Sequence, residues 1–588
     1  MRKEQTTMKV ETPQILWHNG CDNEQNKNAP IYSITMIESG FCTDNMTNFD
    51  QVLATAGNNE INLWRIQFKH NHDKNGILQQ KGPTKPEHLV TLSRHDATVN
   101  VIQFSPNGLH LATAGDSGSI IVWSVPPAKR GNRNGRHFWS TLNKEGDLSV
   151  RIVNSSSDGI YDLDWSADSK RFMVGSLDHN LSIFEDEHYA TNQKEHDTLD
   201  IESQWRAVYR NSRDHTHYIQ GVAFDPKGVY VASSSCDRTV RVYQRKPPVR
   251  GKKTLLRPEN KDLLQQSLIN GKLDFVRGKL LKYRELPQDG QPKPKKQNLF
   301  ADEATGSTHF RRLRFTTDGA YLICPTGVWH PNKGEAEPSW ATYVFARHRF
   351  DKPYKVLAGL DKVSNGILFP FETTFLLTLY VQPSRVICPN PLLFELPLSC
   401  ESKKHNGLPY RSIFAVLTEK SILIYDTYHG KPLCLARGLH YAGLTDAVWT
   451  SDGRTLLVSS SDGYISVISF KEGELGTVYS GNEGVTSVKN CVDDGIEPPL
   501  DERMTPSILT PSNIVPEDKH EIAKELLFPA LPSNKKRVAI QSTTPISPSS
   551  RNQLESMEQQ HVATKVNVLQ PKKKKRVTPT LVTTTSKH

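Results

Sequence analysis

At 588 residues the chain is long enough for several domains, although a repeat array could fold most of it into one body. Its net charge of +10 indicates an acidic partner or a nuclear address. The eight cysteines are scattered without a C-x-x-C pair, and the most apolar run is too short to cross a bilayer. Since the polar N-terminus also lacks the apolar core of a signal peptide, we expect a soluble intracellular protein without a metal or cofactor.

The chain opens with a polar leader (1–12), and the following ILWH (15–18) predicts one short strand. IYSITM (31–36) then begins a series of repeats. The clearest repeat is FSPNGLHLATAGDSGSIIVW (104–123), in which Pro and Gly turns separate three short β-prone runs. The same plan recurs at 224–243 and 449–469, and weaker copies lie at 51–64, 165–184, 315–345 and 413–425.

Seven such units predict an all-β fold, a seven-bladed β-propeller over residues 13–484. Each unit alone would expose apolar faces, which stacking around a ring buries. We assign the ILWH strand to the outer edge of blade seven, because it would join the first and last repeats and remove an open sheet edge. The sixth repeat is the poorest copy and is expected to begin within 363–369. The stretches at about 126–158 and 245–308 are interpreted as insertions in surface loops.

From residue 485 to 588 Pro, Ser, Thr and Asp dominate, so we expect a disordered tail that carries basic motifs. One basic run is a candidate nuclear import signal and a possible site of weak, sequence-independent DNA contact, and it comprises Lys572, Lys573, Lys574, Lys575 and Arg576. This run leads into a β-prone stretch, as does a second run at 534–540. Such stretches suit strand addition to a partner's sheet, and a plain import signal is the equal alternative.

In two of the repeats, a His in the first loop precedes an Asp in the second turn at a spacing that would let the two side chains meet. His215 pairs with Asp237, with Ser233 as a third member, and His440 pairs with Asp462. These residues could suggest a Ser-His-Asp hydrolase. A buried hydrogen-bond network is the stronger interpretation, because the pattern recurs in separate blades whereas a catalytic triad needs one site. We therefore predict structural pins and no catalytic residues.

The repeat plan resembles WD-repeat propellers. More specifically, the ordered region resembles the family of the middle, WD-repeat subunit of chromatin assembly factor 1 and the HIR-type histone regulators. The strings that carry this resemblance include RHDATVNVIQFSPNG, HYIQGVAFDPKGVYVASSSCDRTVRVY, HFRRLRFTTDGAYLICPTG, LPYRSIFAVLTEKSILIYDT and LHYAGLTDAVWTSDG. They cover much of residues 8–476 in the family's order.

The resemblance implies a non-catalytic scaffold in the nucleus, in complex with a large and a small subunit, that deposits newly made histones during replication- and repair-coupled nucleosome assembly. It also implies a tail motif that docks on the anti-silencing-function histone chaperone, with histones contacted indirectly. The matching residues are Lys575, Arg576, Val577, Thr578, Pro579 and Leu581, with Arg576 as the ionic contact and Val577 and Leu581 as pocket fillers. The residues Lys536, Arg537, Val538 and Ile540 match the first half of the motif.

Two other classes of function stay open at this point. One is a generic WD-repeat adaptor, such as a ubiquitin-ligase receptor or an RNA-processing scaffold, whose basic tail serves import only. The other is a hydrolase that uses one of the His-Asp pairs. Chaperone binding by the tail would separate the first from the chromatin-assembly hypothesis.

Overall fold

The computed structural model describes the repeat region and one short piece of the tail. The described residues are 9–13, 17–18, 28–43, 48–72, 78–81, 86–129, 136–154, 158–187, 204–245, 275–286, 295–303, 309–329, 339–358, 382–397, 408–482 and 524–526. They form a two-stranded hairpin and seven larger, mainly antiparallel sheets; the seven are arranged as the blades of a β-propeller, which confirms the predicted fold class.

The first strand of the chain, β1 (Lys9–Glu11), belongs to the last blade. Blade one contains β2 (Ser33–Thr43), β3 (Asn48–Gly57), β4 (Glu60–His72), β5 (Leu78–Lys81) and β6 (Glu87–Leu92), of which β5 and β6 both pair with β4. Blade two contains β7 (Val99–Phe104), β8 (His110–Gly115), β9 (Ser119–Ser124) and β10 (Ser149–Asn154). Blade three contains β11 (Ile160–Trp165), β12 (Arg171–Ser176), β13 (Leu181–Asp186) and β14 (Trp205–Asn211).

The second half of the ring follows the same plan. Blade four contains β15 (Ile219–Phe224), β16 (Tyr230–Ser235), β17 (Thr239–Arg245) and β18 (Phe275–Leu281), and a hairpin of β19 (Tyr283–Leu286) and β20 (Lys295–Asn298) follows it. Blade five contains β21 (Arg314–Phe315), β22 (Tyr321–Trp329), β23 (Ser339–Ala346) and β24 (Lys355–Ala358). Blade six contains β25 (Val386–Glu395), β26 (Tyr410–Leu417), β27 (Ser421–Asp426) and β28 (Cys434–Arg437). Blade seven contains β29 (Leu444–Trp449), β30 (Thr455–Ser460), β31 (Ile465–Ser469) and β1.

The hydrophobic core is divided among the boundaries between blades. Seven buried apolar clusters lie in the described region, one at each junction of neighbouring blades. The cluster between blades seven and one combines Trp17 and Trp64 with Leu457 and Val467. A buried aliphatic or aromatic side chain contributes about 1.5–3 kcal/mol. Because each blade buries apolar side chains on both sides, the closed ring is stable where a single blade would not be.

The ring closes through the N-terminus, but not through the predicted strand. β1 pairs antiparallel with β31, with Val10 opposite Ile468, and so forms the outer edge of blade seven. The assignment of 15–18 as the closing strand was therefore wrong, because the closing strand lies within the stretch interpreted as a leader. The two described residues of the segment 15–18, Trp17 and His18, are instead buried against blade one. The apolar run at 15–18 was predicted as a strand because burial and strand pairing both favour apolar residues, and the sequence alone does not separate the two.

Three other boundaries differ from the predictions. The stretches 126–158 and 245–308 contain β10 and β18, the outer strands of blades two and four, so they are not wholly insertions. Outer strands lie at the rim and are partly polar, which weakens their sequence pattern. The first strand of blade six is β25 rather than a segment within 363–369, which lies outside the described residues.

Residues Lys524–Leu526 form a strand, β32, which pairs parallel with β28 on the outer edge of blade six. This departs from the expectation of a disordered tail for these three residues. Parallel pairing here leaves the antiparallel order of blade six intact and extends its sheet to five strands.

The stretch after blade two's third strand also carries a short helix, α1 (Arg136–Thr141), which packs against blades one and two. Trp139 is fully buried, lies 5.1 Å edge-on to Phe104, and donates a hydrogen bond of 2.7 Å from Nε1 to the Gly108 carbonyl. Arg65 donates to the Ser140 carbonyl from blade one. The helix thus bridges the two blades.

Candidate functional site

The predicted pin of blade four is assembled as a three-residue chain of hydrogen bonds. Asp237 lies 2.9 Å from Nδ1 of His215, and the Ser233 hydroxyl lies 2.7 Å from Nε2. Since a carboxylate only accepts, Nδ1 donates to Asp237 and Nε2 accepts from Ser233. Burial alone would raise the pKa of Asp237, but the hydrogen bonds from His215, Thr239 and the Thr216 amide outweigh burial and hold that pKa at about 2.

This order of groups is that of a Ser-His-Asp triad, but its surroundings do not suit catalysis. Ser233 lies within β16 and has no exposed surface, and His215 is 4% exposed. A substrate carbonyl therefore has no path to the Ser233 hydroxyl. The chain of bonds instead ties the loop before β15 to the turn after β16, which is what a structural pin requires.

Blade seven has a pin of the same kind with a different hydroxyl. Nδ1 of His440 lies 3.2 Å from both carboxylate oxygens of Asp462, and Nε2 lies 2.9 Å from the hydroxyl of Ser466. Ser466 is also 2.7 Å from the Thr12 hydroxyl, just after β1. The pin therefore reaches the N-terminal segment that closes the ring.

Blades one and two also have pins; the sequence interpretation missed that of blade one, whereas in blade two His95 has the predicted loop spacing and predicts a weaker pin because Ser117 stands at the Asp position. His18 Nε2 lies 2.9 Å from the Thr55 hydroxyl, and His95 Nε2 lies 2.7 Å from that of Thr113. In each blade a tryptophan indole donates to the same threonine at 3.1 Å. Burial lowers the pKa of both histidines to about 4. The repeated Thr and Trp in strands two and three (ATAG…LW and ATAG…VW) were the available signal.

A second polar network fills the centre of the ring and was not predicted. Arg312 reaches from blade five to three other blades: its guanidinium lies 2.8 Å from Asp446 and 3.4 Å from Asp162, and it donates to the Asn100 carbonyl at 2.7 Å. Arg314, on the same side of the strand, lies 3.0 Å from Asp162. We call these groups the channel network; it comprises Arg312, Arg314, Asp162, Asp164, Asp446 and Asn100.

Most of the channel network is shielded from solvent, and Arg314 is its partly buried member. Arg312 and Asp162 are at most 1% exposed. Burial raises the pKa of Asp164, and the Arg314 charge opposes that rise. For Arg314 burial alone would lower the pKa, but the charges of Asp162 and Asp164 outweigh it and raise the pKa. Buried charges persist only when paired, so these ion pairs hold the inner strands of blades three, five and seven together.

The described region offers little for other kinds of chemistry. No group of three or more His, Cys, Asp or Glu among the described residues could hold a metal ion. No helix in the described ranges is long and apolar enough to cross a membrane. The free thiols Cys388 and Cys434 have a pKa raised by burial to about 12, which makes them poor nucleophiles.

The predicted tail sites lie outside the described residues. This holds for the chaperone-binding motif and import signal at 572–581 and for the secondary motif at 536–540. The structure therefore brings together the pins of blades four and seven, and the tail motifs stay predictions.

Comparisons with known proteins point to one family. The sequence profile of the CAF1B/HIR1 beta-propeller domain matches residues 8–475. A rice protein, chromatin assembly factor 1 subunit FAS2 homolog, is 32% identical over 74% of this chain and 73% of its own length. A mouse subunit of chromatin assembly factor 1 is 28% identical over 80% of this chain and 68% of its own length. A budding-yeast subunit of the same factor is 28% identical over 78% of this chain and 84% of its own length.

Proposed function

We propose that this chain, which belongs to the CAF1B/HIR1 β-propeller family, is a scaffold subunit of a nuclear chromatin assembly factor 1-type complex. The observation that carries the proposal is the family match over residues 8–475, the whole of the closed ring. Relatives from plants, animals and fungi that match over most of the ring are named as subunits of chromatin assembly factor 1. The propeller would hold the large and small subunits of the complex.

The role we propose for the propeller is binding rather than catalysis. Its two triad-like pins are buried and lie in separate blades, and each has an evident structural use. Paired charges join the inner strands of blades three, five and seven. Such a body supplies rigid surfaces for other subunits.

We assign histone delivery to the tail. In this proposal Arg576 forms an ion pair with an acidic patch on the anti-silencing-function histone chaperone, and Val577 and Leu581 fill apolar pockets by strand addition. Lys536, Arg537, Val538 and Ile540 form the secondary candidate. The chaperone would bring newly made histones, so the propeller contacts them indirectly. Lys572 to Arg576 would also direct import and give weak, salt-sensitive DNA contact.

A pull-down of the full chain with purified anti-silencing-function chaperone tests this proposal. Arg576→Ala combined with Val577→Ala should abolish capture if 575–581 is the docking motif. Lys572→Ala combined with Lys573→Ala is the matched control, because it removes positive charge from the same run and leaves the motif intact. Full capture by a chain that ends at Leu500 would refute the tail as the docking site.

Two further results separate the alternatives. Loss of capture with Arg537→Ala and Val538→Ala, but not with the Arg576 variant, would transfer docking to the secondary motif. Reconstitution with the large and small subunits tests the scaffold itself. A propeller that fails to join either of them would favour a generic adaptor.

A further inference from the structure

Blade six receives the chain twice more after the ring is complete. The segment 477–479, which follows blade seven, pairs with the end of β25: the Tyr479 amide donates to the Leu393 carbonyl and the Glu395 amide donates to the Thr477 carbonyl, both at 2.9 Å. Further along the tail, β32 pairs with β28 on the outer edge of the same blade. No other blade in the described part of the chain takes a strand from the tail. The tail is therefore associated with one particular blade.

The direction of β32 agrees with the place where the tail leaves blade six. Residues 393–395 of β25 lie beside the start of β26, and β27 ends and β28 begins at this same end of the blade. A strand that enters the outer edge from this end runs parallel to β28, and β32 does so, with Lys524 opposite Cys434. The 41 residues 483–523 have an extended length of about 130 Å, which is ample for the return. The parallel pairing thus differs from the antiparallel order of the repeat strands because β32 is an addition to the blade.

The edge that β32 meets is held in place by the rest of the ring. Leu435 and Ala436 of β28 are each 2% exposed and belong to the apolar clusters on the two sides of blade six. The loop before β28 is held by Lys355 of blade five, whose Nζ donates to the carbonyls of residues 427–429 at 2.8, 3.0 and 2.9 Å. Since none of these contacts involves β32, β28 presents its outer backbone groups in the same position with or without it.

The pairing of β32 is small in comparison with the edge it covers. The strand has three residues, and because alternate backbone groups face the partner strand, three residues form few hydrogen bonds. Parallel pairs are also slightly less stable per residue than antiparallel pairs. The contact must in addition offset the entropy of closing the loop 483–523. We therefore expect β32 to detach far more readily than the repeat strands of blade six separate from one another.

From these observations we infer that Lys524–Leu526 is an autoinhibitory strap, which occupies the outer edge of blade six in cis and keeps that edge from pairing with a strand of another protein. An uncovered edge strand presents unpaired N–H and C=O groups, to which an extended segment of another chain can add. The strap pairs with these groups, and its short pairing allows a longer strand to displace it. The inference concerns backbone pairing on the propeller and does not depend on the tail motifs of the proposed function.

Hydrogen exchange in the full chain tests whether the strap covers β28. The double-proline variant, Glu525→Pro with Leu526→Pro, removes two neighbouring amides, and one of them faces β28 because alternate amides of a strand face its partner. We expect the outward-facing amides of Cys434–Arg437 to exchange about tenfold faster in this variant. Asn552→Pro with Gln553→Pro is the matched control, because it makes the same change in the tail beyond the strap. Both changes lie outside the ring, so the propeller itself should stay folded.

A peptide added in trans tests whether the strap competes for the edge. The probe is a labelled peptide with the sequence of residues 520–530, HEIAKELLFPA, and its binding is measured by fluorescence polarisation. We expect the peptide to bind the double-proline variant about tenfold more tightly than the unaltered full chain, because the strap no longer occupies β28. The same peptide with prolines at positions 525 and 526 is the control and should not bind, since it lacks the amide that pairs with the edge.

Several results would overturn the inference. Unchanged exchange of Cys434–Arg437 in the double-proline variant would show that the strap does not cover the edge. Equal affinity of the peptide for the variant and the unaltered chain would rule out competition, and absence of binding to the variant would rule out strand addition at this edge. Protection of β28 that is lost on dilution, together with a dimer in size-exclusion chromatography, would make a second copy the occupant in place of the strap. Neither readout involves the histone chaperone, so failure here is distinct from failure of the proposed function.

Discussion

Two polar networks stabilise this propeller, and they act over different distances. The pins join strands and turns within one blade, as in His215, Ser233 and Asp237. The channel network joins different blades, since Arg312 on blade five meets groups on blades two, three and seven. The comparison indicates that blades one, two, four and seven are held internally by pins of hydrogen bonds, whereas different blades are held together near the ring's centre by buried ion pairs.

The largest effect should come from breaking the channel network. Asp162→Ala would remove a buried carboxylate that forms ion pairs with both Arg312 and Arg314. It would also remove the acceptor of the Val222 amide. We expect the free energy of unfolding to fall by about 3–5 kcal/mol. Urea unfolding followed by tryptophan fluorescence measures this change.

Glu87→Ala is the control for that variant. Glu87 forms an ion pair of 3.1 Å with Arg65, but its side chain is 63% exposed. Its removal should cost about 0–1 kcal/mol. Equal losses for the two variants would contradict a special role for the channel network.

Removal of a pin should have a smaller effect, and the effect should differ between blades. His215→Ala removes two buried hydrogen bonds, one to Ser233 and one to Asp237, although Asp237 still accepts from Thr239, and we expect a loss of about 2–4 kcal/mol. His95→Ala should cost about 1 kcal/mol less, because Thr113 still bonds to Trp123 and the Ile121 carbonyl. Unfolding of the two variants under the same conditions gives the difference, and an unchanged stability for His215→Ala would contradict the pin.

The stability that each pin contributes should depend differently on pH in mild acid. Burial lowers the pKa of His18 and His95 to about 4, below the ordinary value of 6.5, so the folded state binds their protons less readily than the unfolded state. Their contribution to stability is therefore complete above pH 6.5 and is lost as the pH falls towards 4, by about 2 kcal/mol for each histidine at pH 5.

The carboxylate in the blade-four pin has a lower pKa than His18 and His95. The pKa of Asp237 is held at about 2, so its contribution is present above pH 4 and is lost only as the pH falls towards 2. Hydrogen exchange measured from pH 7 to 5 should therefore show blades one and two losing protection before blade four. The opposite order would refute the assignment of pH-sensitive pins to blades one and two.

The smallest effect should come from the edge that closes the ring. Val10→Pro removes an amide donor from β1 and disfavours its pairing with β31, at a cost of about 1 kcal/mol. Val10→Thr keeps the donor and serves as the control. Because an unpaired edge strand promotes association, light scattering should increase for Val10→Pro and not for the control. No difference between the two would argue against β1 as the closing strand.

Much of this architecture could be read from local sequence patterns. Turn residues followed by β-prone runs, repeated seven times, determined the propeller, because each blade is built mainly from neighbouring residues. The His215 and His440 pairs with Asp237 and Asp462 were also accessible, since their members lie in one repeat at regular spacing. The pin of His18 was missed and that of His95 was predicted only as a weaker one, because both lack the acidic member on which that search relied.

What joins distant parts of the chain was decided by the tertiary structure. The pairing of β1 with β31 and the contacts of Arg312 with Asp162 and Asp446 connect residues from separate repeats. Local pattern could not distinguish Val10 from the more apolar 15–18 as the closing strand, because either could add an edge to blade seven. Only the closed ring brings the inner strands of blades three, five and seven around one axis, and at that axis the arginines of FRRLRF become a buried network rather than an exposed basic strand.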